Sequence, residues 1–394
     1  MRVIDSEKLT IKMWLEDIED GAVKQLTNLA NLPFAFKHVA VMPDCHQGYG
    51  MPIGGVLATK EVIIPNAVGV DIGCGMCAVR TSISFADMNI DLLKKIFGRS
   101  KENQGGIRSA IPVGFGHHSK KQSESFMPTL PILDKGVVSE EYNSALHQVG
   151  TLGGGNHFIE IQKGSDGFVW IMIHSGSRNI GLKVAKHYND VAIELNKKWH
   201  SSVPHEHELA FLPFDSIQGK QYIQEMEYCV EFAFCNRKLM MDNIKAEFYK
   251  QIKCEFDEMI NIAHNYARME HHFGANVMVH RKGATSAKDG EVCIIPGSQG
   301  TKSYIVKGKG NIESFQSCSH GAGRKMGRKE AERSLNLEDE QKKLNDKGIL
   351  HSVRQKSDLD EAAGAYKDIA TVMENQKDLV DIVVELEPLG VIKG

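Results

Sequence analysis

Residues 69–76, GVDIGCGM, carry two side chains that bind metal ions, Asp71 and Cys74, three positions apart. The surrounding glycines permit a tight, non-helical turn, so the carboxylate and the thiolate can converge on one point. This pair suits Zn²⁺, Mn²⁺ or another first-row ion, and a thiolate can bridge two ions. For the segment taken alone, an ordinary turn aspartate beside a buried cysteine is the alternative interpretation.

Three histidines in separate segments extend this candidate metal set. His157 follows three glycines, His174 precedes Ser-Gly-Ser-Arg, and His264 stands in Ala-His-Asn-Tyr. Taken singly, such a histidine is more often structural than a ligand. Together with Asp71 and Cys74 they supply enough ligands for two ions about 3.5–4 Å apart.

A fourth histidine, His320, lies immediately before Gly-Ala-Gly in the segment SCSHGAGR. Glycines at this point allow a nucleotide to approach the backbone, and histidine can act as a covalent nucleophile. The nearby Gly/Ser loop at residues 296–303, PGSQGTKS, resembles a phosphate cradle but matches no P-loop spacing. A polar hairpin turn is the alternative for that loop.

Residues 42–50, MPDCHQGYG, place Asp44 and His46 two apart at the end of an expected short strand. They suggest a further metal site or an acid–base group. The adjacent pairs at 117–118 and 271–272 are also histidines, but they lie in polar stretches, and we do not count them as ligands.

The elements that must position these residues are short strands and a helical region. Residues 38–82 alternate apolar runs with Gly and Pro, which predicts short strands and tight turns. The apolar run 168–173 predicts a buried strand leading into His174, and residues 99–143 look like a polar surface excursion. From about 216 to 253, apolar residues recur every three or four positions, which predicts one or two amphipathic helices.

No internal repeat or clear linker divides the chain. We therefore expect a single mixed α/β domain over residues 1–394, with central β-sheets flanked by helices. No apolar run reaches the roughly 18 residues of a membrane helix, and the first residues lack a secretory signal. The eight scattered cysteines suit a reducing compartment, so we expect a cytoplasmic protein without disulfides. With a net charge of −3, any nucleic acid must be held by a local basic surface.

In this order along the chain, the segments GVDIGCGM, LGGGNHFIE, HSGSR, HNY, PGSQG and SCSHGAGR resemble the RtcB family of RNA ligases. The resemblance runs from about Asp44 to the C-terminal Val-Ile-Lys-Gly, which is nearly the whole chain. It implies the family's fold as a single large domain. It also implies two Mn²⁺ ions per chain, GTP as the nucleotide, and RNA as the substrate.

The resemblance assigns roles to matching positions in this sequence. One Mn²⁺ would be held by Asp71, Cys74 and His157, and the other by Cys74, His174 and His264, with Cys74 bridging. His320 would carry GMP, Asp44 would act in the joining chemistry, and Arg178 would face RNA or phosphate. The guanine nucleotide would contact Asn156, His157, Phe158, Ile159, Glu160, His264, Asn265, Pro296, Gly297, Ser298, Gln299, Ser303, His320, Gly321, Ala322, Gly323 and Lys393.

The implied reaction joins an RNA 3′-phosphate or 2′,3′-cyclic phosphate end to a 5′-hydroxyl end. His320 attacks the α-phosphate of GTP, the GMP passes to the RNA 3′-phosphate, and the 5′-hydroxyl then expels GMP. An activator of the archease type is a candidate partner. The main alternative is a binuclear metal-dependent RNA phosphoesterase or cyclic phosphodiesterase with the same metal ligands and no covalent nucleotide. A non-enzymatic RNA-binding role is disfavoured, because a basic stripe with interleaved aromatics is absent.

Several positions depart from the commoner family pattern: Cys45, the stretch 47–49, and Asn179 after Arg178. These departures concern substrate choice. They suggest a specialised bacterial paralogue that repairs a particular broken RNA, such as a cleaved tRNA or rRNA.

Overall fold

The computed structural model describes residues 1–98 and 105–394, and it contains both strands and helices along the chain. The strands are β1 Arg2–Ile4, β2 Thr10–Met13, β3 Ala35–His46, β4 Ile53–Thr59, β5 Val62–Ile63, β6 Gly75–Ser84, β7 Phe158–Gly164, β8 Phe168–Ser175, β9 Leu212–Pro213, β10 Ile260–Ala263, β11 Asn265–His272, β12 Ala275–Lys282, β13 Ala284–Ser286, β14 Val292–Ile295, β15 Ser303–Gly308, β16 Ser317–Ser319 and β17 Val380–Lys393. The α-helices are α1 Asp20–Ala30, α2 Pro65–Val68, α3 Ile90–Phe97, α4 Gly106–Ala110, α5 Val137–Gln148, α6 Arg178–Lys198, α7 Ile217–Gln251, α8 Arg328–Ser334, α9 Leu337–Asp346 and α10 Ile369–Glu374.

Two large sheets organise the chain. One has six strands in the order β1-β2-β3-β4-β12-β11, and the other has seven in the order β10-β6-β8-β7-β17-β15-β14. Strands β13 and β16 form a separate antiparallel pair, as do β5 and β9. The mixed α/β fold class with central sheets and flanking helices is confirmed. The single-domain organisation over residues 1–394 stays a prediction.

The apolar runs expected to be strands are strands. Residues 38–42 and 54–57 fall in β3 and β4, and the run 168–173 becomes β8, whose residues from Val169 onwards are all buried. Both faces of this central strand are covered, which explains why its sequence is continuously apolar and not alternating. The strand therefore carries His174 into the interior.

The helical region expected around 216–253 is a single helix, α7, of 35 residues. Its start is capped by Ser216, whose hydroxyl accepts a hydrogen bond from the Gly219 N–H. Buried residues occur around much of its circumference, because it packs against α5, α6, β6 and β8. One long helix thus supports the back of the seven-stranded sheet.

Residues 105–143 of the polar stretch expected at 99–143 are largely exposed or half-buried, with the short helix α4 near their beginning and α5 starting at Val137. Residues 99–104 of this stretch lie outside the described part of the chain. Across residues 1–98 and 105–394, none of the helices combines the length and the apolarity needed to cross a bilayer.

Candidate metal and nucleotide site

One end of the seven-stranded sheet gathers the expected metal ligands in the order of its strands. His264 follows β10, Cys74 precedes β6, His174 lies in β8, and His157 precedes β7. The pairing register places these residues side by side at the same end of adjacent strands, since Met76 lies opposite His174 and the His264 N–H donates to the Cys74 carbonyl at 2.8 Å. Neighbouring antiparallel strands therefore bring residues that are far apart in sequence to the same end of the sheet.

The side-chain atoms of these residues converge. Cys74 Sγ lies 3.4 Å from His157 Nε2 and 3.3 Å from His174 Nε2, and these three ligand atoms all lie within 4.8 Å of one another. Asp71 Oδ2 is 3.1 Å from His157 Nε2, and the Nε2 atoms of His174 and His264 are 3.4 Å apart. All five expected ligands thus form one contiguous cluster, and Cys74, His157 and His174 could hold a metal ion.

The chemistry of this cluster fits a cation. His157 Nδ1 must carry its proton, because it lies 3.0 Å from the Leu152 carbonyl, which only accepts; its Nε2 lone pair therefore faces Asp71 and Cys74. Burial lowers the pKa of His174 and of His264 and so keeps both in the neutral form that binds metals. Burial also raises the pKa of the Cys74 thiol, so a nearby divalent cation is what would favour its thiolate.

The turn that presents Asp71 and Cys74 is the tight one that its glycines predict. The Cys74 N–H donates to the Asp71 carbonyl at 3.1 Å, and Gly73 has φ +74°. A Cβ added to Gly73 would lie 2.8 Å from the Cα of Val230 in α7, so the helix requires glycine there.

Arg178 begins α6 beside the metal cluster, with the left-handed φ of +60°. Its Nε donates to Thr151 Oγ1 at 3.1 Å and its Nη2 to the Gly114 carbonyl at 3.3 Å. A Cβ on Gly153 would lie 2.0 Å from Arg178 Nη1, so this glycine makes room for the guanidinium. The residue with the left-handed backbone is thus Arg178 and not the following Asn179.

A second arginine beside the metal cluster, the buried Arg237 of α7, was missed by the sequence analysis. Its Nη1 donates to the carbonyls of Gly73 at 3.0 Å and Ser175 at 2.9 Å, and its Nε donates to Asn261 Oδ1 at 2.7 Å. It therefore joins the loop before Cys74 to the end of the strand that carries His174. An arginine within a run of apolar and polar helical residues gives no local sign of such a role.

His320 follows β16 and is held by Asp44 of β3. Asp44 Oδ2 accepts from His320 Nδ1 at 2.6 Å, from the His320 N–H at 3.0 Å and from the Gly321 N–H at 3.2 Å. Burial raises the pKa of the Asp44 carboxyl, but the charge and hydrogen bond of His320 outweigh it, and the net shift is downward. The ring of His320 also packs against that of His264, with centroids 4.8 Å apart. His320 therefore adjoins the metal cluster.

A cleft of about 710 Å³ opens in front of His320. This volume lies in the range of small-molecule sites, about 300–1,000 Å³. Of the residues expected to contact a nucleotide, those lining it are Asn156, Phe158, Glu160, Pro296, Gly297, Ser298, Gln299, His320, Gly321, Ala322, Gly323 and Lys393. The sheet edge, the 296–299 loop and the His-Gly-Ala-Gly turn thus surround a single space.

Lys393 reaches this cleft as part of a strand. It is the last residue of β17, pairs with Phe158 of β7, and places its Nζ 5.7 Å from the centroid of the Phe158 ring. Burial lowers the pKa of Lys393, while Glu361 and Glu160 act in the opposite direction. Pairing of β17 with β7 therefore holds Lys393 at the cleft, and its contact with a nucleotide stays a prediction.

Glu160 lies beneath the same cleft and is buried. Burial raises the pKa of its carboxyl to about 8, against the lowering effects of the Gln162 hydrogen bond and the Lys393 charge. Gln162 Nε2 donates to Glu160 Oε2 at 2.7 Å, and no hydrogen bond within the described residues involves the other oxygen.

Glu361 is a further cleft residue that the sequence analysis missed. Its buried carboxylate binds Arg328 Nε at 2.9 Å and Arg324 Nη1 at 3.1 Å, accepts from the Tyr366 hydroxyl, and lies 3.9 Å from Lys393 Nζ. Burial by itself raises the pKa of the Glu361 carboxyl. The lowering effects of Lys393, Tyr366 and the two arginines are together larger, so the net shift is downward. No motif surrounds Glu361 in the sequence, so its place in the cleft is evident only from its contacts with distant residues in the folded chain.

The remaining expected nucleotide contacts do not line the cleft. His157 and His264 belong to the cluster of expected metal ligands, and Ile159 faces the apolar core on the opposite side of β7. Asn265 links the Asp71 carbonyl to the Gly283 N–H through its amide. The Ser303 hydroxyl accepts from the Gly297 N–H at 3.1 Å and so lies beneath the 296–299 loop. Strand alternation therefore places the side chains of Phe158 and Glu160 at the cleft and that of Ile159 on the other side of β7, and the nucleotide contacts themselves stay predictions.

The fold and this arrangement of side chains define a mixed α/β protein in which a candidate metal centre adjoins a nucleotide-sized cleft. Residues 25–394 match the family model described as tRNA-splicing ligase RtcB. The chain therefore belongs to the RtcB family of RNA-splicing ligases.

Curated relatives cover the full chain. RNA-splicing ligase RtcB of Escherichia coli K12 is 38% identical over 416 residues, which cover 100% of this chain and 99% of the relative. RNA-splicing ligase RtcB1 of another Escherichia coli strain, ATCC 25922, matches to the same extent, 38% over 416 residues. The tRNA-splicing ligase RtcB of Thermococcus kodakarensis is 32% identical over 459 residues, covering 100% of this chain and 94% of the relative.

Proposed function

We propose that this chain is a GTP- and Mn²⁺-dependent RNA ligase that joins a 3′-phosphate or 2′,3′-cyclic phosphate end to a 5′-hydroxyl end through GMP bound covalently to His320. One observation carries the proposal. His320 lies between the nucleotide-sized cleft and the metal cluster, and a buried carboxylate fixes its ring.

Asp44 prepares His320 as a nucleophile. Its carboxylate accepts the Nδ1–H at 2.6 Å, so the lone pair of the neutral ring is on Nε2. Attack of Nε2 on the α-phosphorus of GTP forms the N–P bond and breaks the bond to the bridging oxygen, which leaves with pyrophosphate. The Asp44 carboxylate accepts hydrogen bonds from His320 and Gly321 in the described residues, which supports a positioning role for Asp44 in guanylylation beside the part proposed for it in the joining chemistry.

The metal ligands divide into two sets that share Cys74. Asp71, Cys74 and His157 would hold one Mn²⁺, and Cys74, His174 and His264 the other, as the short distances within each set favour. Bound Mn²⁺ offsets negative charge on phosphoryl oxygens. Arg178, at the edge of the cluster, supplies a fixed positive charge for an RNA phosphate.

Guanine recognition is assigned to Glu160 and Lys393. A carboxylate offers acceptors to the N1–H and N2–H groups of guanine, and an ammonium donates to its O6. These two residues lie on neighbouring strands, where Glu160 pairs with Val391. The backbone of residues 321–323 and the 296–299 loop then face the phosphates and ribose.

After guanylylation, an oxygen of the RNA 3′-phosphate attacks the phosphorus of His320-bound GMP, and the N–P bond breaks. The 5′-hydroxyl then attacks the RNA 3′-phosphorus and GMP leaves. A binuclear phosphoesterase is the competing function, because the same metal ligands can activate water. The histidine oriented by Asp44 in the cleft favours the ligase, since a hydrolase needs no covalent nucleotide.

The test is replacement of His320 by Asn, with the exposed His187 of α6 replaced by Asn as the matched control. Wild type and the control incubated with α-labelled GTP and Mn²⁺ should carry a covalent, acid-labile label. The His320→Asn protein should carry none, yet it should keep its metals and join RNA supplied with a 3′-ppG end. Covalent label on the His320 variant would refute the assignment, and unlabelled wild type that still opens cyclic phosphates would favour the phosphoesterase.

We further propose that the natural substrate is a cleaved tRNA or rRNA, that the protein acts in the cytoplasm, and that an archease-type protein is a candidate activator. The names of the relatives, which are tRNA- and RNA-splicing ligases, support an RNA substrate. The measurement is sequencing of RNAs that carry unrepaired 3′-phosphate ends in cells lacking this chain.

A further inference from the structure

The loop at residues 113–121 displays a phenylalanine to solvent. The Phe115 side chain is fully exposed, with a relative accessibility of 102%, and the glycines on both sides leave its ring faces uncovered. A large aromatic ring left in water forfeits the burial that normally makes it favourable. Neither folding nor the cleft explains its position, since Phe115 contributes to no core cluster and does not line the cleft.

The loop is fixed beside the metal cluster. The Gly114 N–H donates to the Gly153 carbonyl at 2.8 Å, and Arg178 donates to the Gly114 carbonyl at 3.3 Å. Gly153 itself lies against His157, because a Cβ there would be 2.7 Å from His157 Nδ1. Further along, the His118 N–H donates to the His147 carbonyl at 3.0 Å. Phe115 is thus one residue away from a backbone contact with the loop that presents a candidate metal ligand.

The charge of this loop is opposite in sign to that of the whole chain. Residues 113–121, VGFGHHSKK, contain two lysines, two histidines and no acidic residue, whereas the formal net charge of the protein is −3. Lys120 is exposed, Lys121 is exposed and donates to Asn143 Oδ1 at 2.7 Å, and Arg178 adds its charge at the base of the loop. A local basic surface of this kind is what a protein of negative net charge needs in order to hold RNA.

We propose that the 113–121 loop binds the single-stranded RNA next to the end being joined, with Phe115 stacked on a base and Lys120 and Lys121 facing phosphates. The proposal rests on the RNA-ligase function proposed above. An exposed ring with basic neighbours is the arrangement by which proteins hold single strands without reading their sequence. The lysines near Phe115 favour RNA over a protein partner, because lysine is depleted at protein–protein interfaces.

The test compares Phe115→Ala, Phe115→Trp and the control Phe126→Ala, which removes another partly exposed phenylalanine of the same excursion. Self-guanylylation needs no RNA and should proceed at the wild-type rate in all three. In joining assays, Phe115→Ala should raise the KM for RNA about tenfold with kcat nearly unchanged, the size expected for loss of one stacked base. Phe115→Trp should restore the wild-type KM.

A binding measurement separates stacking from a merely structural effect. Short 3′-phosphate and 5′-hydroxyl RNA strands carry 2-aminopurine at the terminal nucleotide, whose fluorescence falls when the base stacks. Wild type and Phe115→Trp should quench at least one strand, and Phe115→Ala should not.

Equal KM and equal quenching for wild type and Phe115→Ala would overturn the inference while leaving the ligase intact. Unchanged RNA binding together with altered self-association would assign the ring to a protein interface and would also overturn it. Wild type that forms no covalent guanylate would instead count against the proposed function itself.

Discussion

Replacing Glu160 by Gln should stabilise the nucleotide-free protein at alkaline pH and weaken its binding of guanine nucleotides. Gln has nearly the same shape but no charge, and Glu160 is a buried carboxyl whose pKa is raised from 4.5 to about 8, chiefly by burial. When Glu160 is ionised in the empty site, its buried charge destabilises the folded protein. A ligand that donates hydrogen bonds to the carboxylate would offset that cost.

The sign and size follow from proton linkage. Between pH 4.5 and about 8 the folded state holds a proton on Glu160 that the unfolded state has lost, so wild-type stability falls as the pH rises. The full shift corresponds to a difference of about 5 kcal/mol in the free energy of unfolding. Below pH 4.5 Glu160 is protonated in both the folded and the unfolded state, so wild type and Glu160→Gln should have similar stability.

Chemical denaturation of metal-loaded, nucleotide-free wild type and Glu160→Gln from pH 5 to 9 measures this difference. The contributions of the other titrating groups are common to both proteins and cancel when the two free energies of unfolding are subtracted. Glu387→Gln is a control of opposite sign, because the Lys163 hydrogen bond lowers the pKa of Glu387. That variant should lose stability above the unfolded pKa of Glu387, and the loss should shrink on acidification. Parallel pH profiles for wild type and Glu160→Gln would refute the reasoning, as would unchanged GTP affinity.

Other predictions concern the metal cluster and the chain end. Cys74→Ser should weaken the binding of both Mn²⁺ ions together, because the Ser hydroxyl is not ionised at neutral pH. Metal analysis that finds two tightly bound Mn²⁺ per chain in this variant would contradict the prediction. Deleting Lys393 and Gly394 should impair guanylylation while circular dichroism stays native, and unchanged GTP dependence would remove Lys393 from the site. Arg237→Met should leave the Gly73 and Ser175 carbonyls unpaired and reduce stability by about 2–5 kcal/mol with weaker metal binding, measured by denaturation and metal titration; an unaltered metal affinity would limit Arg237 to a structural role.

The elements were largely predictable because their signals are local. The apolar run of β8 and the three-to-four spacing of α7 each fall within one segment, so period and length identify the element. The pairing of those segments was not predictable. β17, for example, lies between β7 and β15, which precede it in the chain by long intervals, and no local pattern specifies such non-local partners.

Strand alternation also explains which of the expected contact residues line the cleft and which do not. Phe158 and Glu160 face it because they are two apart in β7, whereas Ile159 between them must face the opposite side. Glu361 and Arg237 were missed because their importance comes from several distant partners and not from neighbours in sequence.

The sequence by itself determined the kinds of chemistry available and the local turns that present them. A thiol, a carboxylate and several imidazoles are able to bind metal ions once they converge, and the glycines around Cys74 permit the turn that presents two of them. The tertiary structure alone decided which of these groups meet and how they ionise. Their convergence depends on the register between strands, and the raised pKa of Glu160 depends on burial by distant segments, so both arise only when the sheets are assembled.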